Sequence, residues 1–187
     1  EGPQAVREAI KYVPEQVLDL YLTEAAGQRH QDILQSAQQA NIYLHWVSQA
    51  VMEAISTDAQ GLVAVMDLAG IRAGADALAQ VLKGATQVVV MSETQDPGNA
   101  GTIIRVADAA GADAVIMARG CVELTSPKVI RASAGSLYHL PVITGLALDD
   151  IISALRDAQL NILAADGAAH LSLFAIEEDR KSTRLNS

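Results

Sequence analysis

The segment Asp96-Pro97-Gly98-Asn99-Ala100-Gly101, followed by Arg105, is where this sequence concentrates groups able to hold a ligand. Pro97, Gly98 and Gly101 shape a tight turn, Asn99 opens a helix, and Arg105 lies six residues on, able to reach back toward the same turn. A plainer reading makes Asn99 a helix cap and pairs Arg105 with Asp108 or another acid; local physics leaves both readings open. A dinucleotide site fits poorly, because PGNAG lacks the three spaced glycines and no acid closes a strand about twenty residues later. His30, His45, His139 and His170 show no metal-ligand spacing. ASAGS at 132–136 is not a nucleophile elbow, and Cys121 reads as a small loop hydrophobe.

The elements that would position these groups follow from hydrophobic periodicity. Over residues 1–66, PQAVREAIKY and HQDILQSAQQAN read as helices, with a short third over AVMEAI. VLDLYL, IYLHWVS and GLVAVMD read as strands, the last buried on both faces. Residues 67–84 read as a glycine- and alanine-rich linker ending in a helix over ADALAQVL, with few contacts expected across it. From 85 to 178 a stricter alternation begins. QVVVM (buried), DAVIMA, LPVIT and NILAAD are predicted strands; the helices between them start at Asn99, at Ser126-Pro127 and over ALDDIISALRDA. Repeated β-α-β steps imply a parallel sheet with its ligand site beyond the carboxyl ends of the strands, which places Asn99 and Arg105 close together at that edge.

The composition fits a folded α/β chain: 187 residues, half of them hydrophobic, 19% charged and 3% aromatic. A single cysteine, no charged-then-apolar leader and no long apolar run point to a cytoplasmic protein that does not span a membrane. The polar end DRKSTRLNS, residues 179–187, looks like the translation of a sequencing adapter, and the natural chain is expected to continue past about Glu178.

DPGNAGTIIRVADAAGADAVI (96–116) and SPKVIRASAGSLYHLPV (126–142) resemble the first two signature motifs of the SpoU, or TrmH-like, RNA ribose 2′-O-methyltransferases. Residues 1–67 resemble the small RNA substrate-binding domain that precedes the catalytic domain in many members. The implied architecture is a small αβα RNA-binding domain followed by a parallel-sheet SPOUT methyltransferase domain. The third motif, which builds the trefoil knot and most of the cofactor pocket, is not found in this sequence. The resemblance implies S-adenosylmethionine as cofactor, rRNA or tRNA as partner, and a homodimer for the complete protein. It assigns catalysis to Asn99 and Arg105, RNA contact to Lys128, Arg131 and Ser133, and cofactor contact to Ala165, Asp166 and Gly167. Without the third motif, the chain as written is expected to bind cofactor negligibly.

Charge tempers this reading, since the net charge is −9 and phosphate binding normally draws on a basic excess. Residues 1–66 carry three basic and eight acidic side chains, and residues 85–178 carry five and eleven. Yet Arg105, Arg119, Lys128 and Arg131 all fall around the predicted site, where they can form a local positive face. A non-catalytic RNA-binding or dimerising module of the same fold is the alternative, against which the presence of both Asn99 and Arg105 counts.

Overall fold

The computed structural model describes residues 1–67 and 73–165. Its first unit opens with helix α1 (Pro3–Tyr12), which has Pro3 at its first position and buries Ala5, Val6, Ala9 and Ile10 on one face. Strand β1 (Val17–Leu22) follows, then helices α2 (Glu24–Arg29) and α3 (Gln31–Gln39), β2 (Tyr43–Trp46), α4 (Gln49–Ile55) and β3 (Leu62–Met66). β1 is central, parallel to β2 and antiparallel to β3. Leu20, Leu22 and Leu62 of the sheet close on Val6, Ile10, Ile33 and Ala37 of the helices to make the core.

Two expectations for this unit are corrected. β3 is an edge strand with only Leu62 fully buried and Val65 exposed, so its apolar run does not signify burial on both faces. Helix α2 was not predicted; it is six residues long with Gly27 inside it, and it is held by the Thr23 hydroxyl, which accepts from the Ala26 N–H at 3.2 Å.

The second unit is the expected parallel sheet: β4 (Val88–Met91), β5 (Ala114–Ala118) and β6 (Val142–Leu146), in that order. Helices α6 (Pro97–Ala109) and α7 (Pro127–Ser133) connect them, and α8 (Leu148–Asp157) follows. β5 is buried along its whole length; β4, expected to be buried, lies at the edge and is half-buried over Val88–Val90. Asp113 fixes the entry to β4, its carboxylate accepting from the backbone of Thr86 (2.6 Å) and Gln87 (3.0 Å). Residues Asn161–Ala165 are not a strand, although Leu160 and Ile162 pack beneath the sheet with Ile143 and Ile151. Ala73 bridges Ile143, and α5 (Leu78–Leu82) buries Leu78 and Leu82 in the same cluster. The stretch read as linker therefore packs onto the second sheet from Ala73 onward.

The two units also touch more than the sequence suggested. Tyr138, in a 3-10 turn over Ser136–Tyr138, contacts the cores of both units. Beside it His139 lies between carboxylates of the two units, Nδ1 at 2.7 Å from Asp108 and Nε2 at 3.2 Å from Glu8. Gly135, with φ 97°, lets Glu8 approach where a Cβ would stand 2.3 Å from the Glu8 Cγ. A cavity of about 180 Å³ remains between Val6 and Ala64 on one side and Ile130 and Tyr138 on the other.

Candidate active site

In a parallel sheet the loops beyond the strands' carboxyl ends carry the chemistry, and here these are 92–96, 119–126 and the segment after β6. The first loop feeds α6. Its cap is Asp96, not Asn99: the Asp96 Oδ1 accepts from the Asn99 N–H at 2.7 Å. That bond holds the Asp96 carboxyl below the usual carboxylate range, helped by the charge of Lys128, whose Nζ lies 3.7 Å from Oδ2. With its backbone N–H used by the cap, Asn99 leaves its exposed side chain facing solvent in the first turn of α6.

Arg105 is exposed on the same helix and makes no hydrogen bond or ion pair among the described residues. Six residues of α-helix separate it from Asn99 by about 9 Å along the axis and about 120° around it. No hydrogen bond joins the two side chains, so they share a helix rather than a contact. Asp108, the acid expected to compete for Arg105, is bound instead to His139.

The second motif supplies α7, packed tightly across α6. Gly101 makes this approach feasible, because an ideal Cβ there would fall 2.5 Å from the Val129 carbonyl oxygen and 2.8 Å from the Ser133 nitrogen. Ser133 sits at that crossing with 0% exposure and donates its hydroxyl to the Ile130 carbonyl at 2.8 Å. Ser133, assigned RNA contact by the resemblance, is here buried where the two helices pack. Arg131 is exposed but engaged by the first unit, paired with Glu1 and with Asp58 at 3.2 Å. Lys128 is largely exposed beside the turn that carries Asn99, with Asp96 of that turn 3.7 Å from its Nζ.

Sequence reasoning missed a bulge at the end of β6. Met117 pairs with Thr144 and Ala118 with Leu146, leaving Gly145 as the extra residue, with φ 87°. The Arg119 backbone N–H donates to the Leu146 carbonyl at 2.7 Å, which brings Gly120 (φ 105°) to the neighbouring strand end. Among the described residues nothing lies within 4 Å of where a Cβ would sit on either glycine, so bare backbone borders space they leave open at the carboxyl edge. Two neighbouring glycines after different strands were the available signal. Cys121 donates its thiol to the Met91 carbonyl at 3.3 Å, and burial pushes its pKa up, which suits a packing role. Ala165 is exposed; Asp166 and Gly167 lie outside the described residues.

Residues 86–184 match the SpoU rRNA Methylase family, and residues 1–72 match the RNA 2′-O ribose methyltransferase substrate binding family. The chain is 26% identical over 182 residues to the 23S rRNA (guanosine-2′-O-)-methyltransferase of Bordetella pertussis, covering 96% of this chain and 74% of that protein. It is 45% identical over 62 residues to the 23S rRNA (guanosine(2553)-2′-O)-methyltransferase of Bacillus subtilis, covering 33% of this chain and 25% of that one. The fold is similar to the AdoMet-bound rRNA methyltransferase of Sinorhizobium meliloti, with TM-score 0.67, 23% identity, and coverage of 84% of this chain and 57% of that one. It is also similar to the SpoU methyltransferase AviRb of Streptomyces viridochromogenes in complex with AdoMet, with TM-score 0.65, 22% identity, and coverage of 83% and 56%. The chain thus spans little more than half the length of these solved structures. A parallel sheet with its open edge at the Asn99 turn, and family matches running through both units, lead to one assignment: the chain belongs to the SpoU rRNA methylase family.

Proposed function

We propose that the protein carrying this chain transfers a methyl group from S-adenosylmethionine to a ribose 2′-hydroxyl of RNA, with ribosomal RNA the substrate favoured by the named relatives. The observation that carries this reading is the Asn99 turn at the carboxyl edge of a parallel sheet, on a helix that also bears an unpaired Arg105, within a family match covering both units. S-adenosylmethionine supplies a sulfonium methyl whose departure leaves a neutral thioether. Gly120 and Gly145 fit the approach of a flat adenosine, and the resemblance assigns further cofactor contact to Ala165, Asp166 and Gly167.

A ribose hydroxyl is a poor nucleophile, so the protein must stabilise negative charge on the 2′-oxygen as the oxygen–carbon bond forms and the hydroxyl proton leaves. Arg105 suits this role because its guanidinium stays charged; it stabilises the oxyanion or orients a neighbouring phosphate that accepts the proton. Asn99 holds the ribose from the turn above. Lys128 supplies a phosphate contact beside Asn99, while Arg131 ties the two units together. We place the RNA-binding unit at residues 1–66 and assign the methyltransferase unit the packed stretch from Ala73 onward, acting as a cytoplasmic homodimer. No helix among the described residues is long and apolar enough to cross a membrane.

Incubation of the complete protein, with the third motif that the 187-residue chain lacks, with methyl-tritiated S-adenosylmethionine and total RNA tests the reading. Label should enter RNA with the unaltered protein and fall by about a hundredfold or more with Arg105→Ala. Equal incorporation by both would remove Arg105 from the chemistry.

A further inference from the structure

Trp46 and Glu24 build a surface in the first unit that the methyl-transfer site does not use, and we propose that it binds an unpaired guanine of the RNA. The proposal rests on the reading of RNA as substrate. Trp46, the last residue of β2, is 56% exposed yet held in place. An ideal Cβ on Gly27 would fall 2.7 Å from its Cη2 and 2.8 Å from its Cζ3, so the bare backbone of Gly27 lets the indole edge lie close against α2. A fixed, half-exposed aromatic face is what base stacking requires.

Open grooves of about 430 Å³ and 470 Å³ flank the indole, and Glu24 lines both. The 430 Å³ groove is otherwise walled mainly by glutamines, among them Gln28, Gln31 and Gln35. Among the described residues neither Glu24 nor these glutamines has a side-chain hydrogen bond or ion pair, and no lysine or arginine lines either groove. A surface without cations does not recognise phosphate; one with an aromatic face, amides and a carboxylate recognises a base. Among the four bases guanine alone presents two adjacent donors, N1–H and N2–H₂, on its pairing edge. The Glu24 carboxylate can accept both, while a glutamine amide donates to O6. Adenine would turn the N1 lone pair toward the carboxylate, and each pyrimidine offers a single donor group.

Trp46 is the only tryptophan in the chain, so its emission reports directly on the groove. The 187-residue chain is titrated with the RNA pentamers UUGUU, UUAUU, UUUUU and UUIUU, the last containing inosine, which lacks the 2-amino group. UUGUU should quench Trp46 at about tenfold lower concentration than UUAUU, with inosine between them. Glu24→Gln should bring UUGUU to the level of UUAUU while leaving UUUUU unchanged. By anisotropy of labelled RNA, Trp46→Phe should keep the guanine preference and Trp46→Leu should weaken all four by about tenfold. Equal quenching by all four pentamers, or a guanine preference that survives Glu24→Gln, overturns the proposal. RNA binding by anisotropy without any change in Trp46 emission overturns it too, and leaves the methyltransferase reading standing. Absence of RNA binding together with absence of methyl transfer by the complete protein overturns both.

Discussion

Gly101 of α6 and Val129 of α7 meet backbone to backbone, with the Val129 carbonyl oxygen 2.5 Å from where a Gly101 Cβ would stand. The same methyl group would press on the Ala132 Cβ at 2.6 Å and the Ser133 nitrogen at 2.8 Å. None of these is the flexible end of a side chain, so the helices themselves must part. Gly101→Ala should therefore lower stability by about 1–3 kcal/mol in urea denaturation, despite the better helix propensity of alanine. Unchanged stability would mean that the crossing is looser than its geometry indicates.

The first turn of α6 depends on Asp96. Its carboxyl is held below the usual carboxylate range by the Asn99 N–H, so the cap stabilises the folded chain above that range and is lost as pH falls through the depressed value. Asp96→Ala should speed hydrogen exchange of the Asn99 and Ala100 amides at neutral pH. Acidification of the unaltered chain should reproduce that effect only at the low end of the carboxylate range.

Tyr138 ties the two units together through an apolar contact, and burial pushes its pKa up to about 12. A phenol whose folded pKa is raised contributes stability that is whole below the ordinary tyrosine value near 10 and declines as pH climbs from there toward 12. The loss should reach roughly 2–3 kcal/mol across that window. Ultraviolet titration at the phenolate band should show one late-titrating tyrosine, and Tyr138→Phe should remove both that step and the alkaline loss of stability.

In the complete protein, Arg105→Ala should lower kcat by about 10²–10³-fold while leaving the urea midpoint unchanged, because the side chain has no folded-state partner among the described residues. Arg105→Lys keeps a charge but loses the planar fork, and should recover only part of the rate. A loss of stability matching the loss of rate would mark Arg105 as structural instead.

Periodicity located β1 to β6 and the helices that bury a continuous face, because each repeats its apolar residues at the spacing of its own geometry. It misjudged how deeply β3 and β4 lie. An apolar run looks the same in a central strand as in an edge strand, and only pairing order distinguishes them. The Asn99 turn is legible from its glycines and proline, but the helix starts two residues before Asn99 and its cap lies three residues before it, because aspartate and asparagine are equally good caps. The burial of Ser133 could not be seen in its motif. Its burial comes from Gly101, thirty-two residues earlier in the chain. The contacts of Glu8 and Asp58 with the second unit, more than seventy residues away, left no local trace in the sequence.

The central claim is methyl transfer to the ribose oxygen, and the most direct measurement is the alkali resistance of the labelled RNA. A 2′-O-methyl group removes the hydroxyl that attacks the adjacent phosphate, so alkaline hydrolysis should release the tritium in dinucleotides, with the signal absent for Arg105→Ala. Tritium recovered in mononucleotides would place the methyl group on a base and contradict the account.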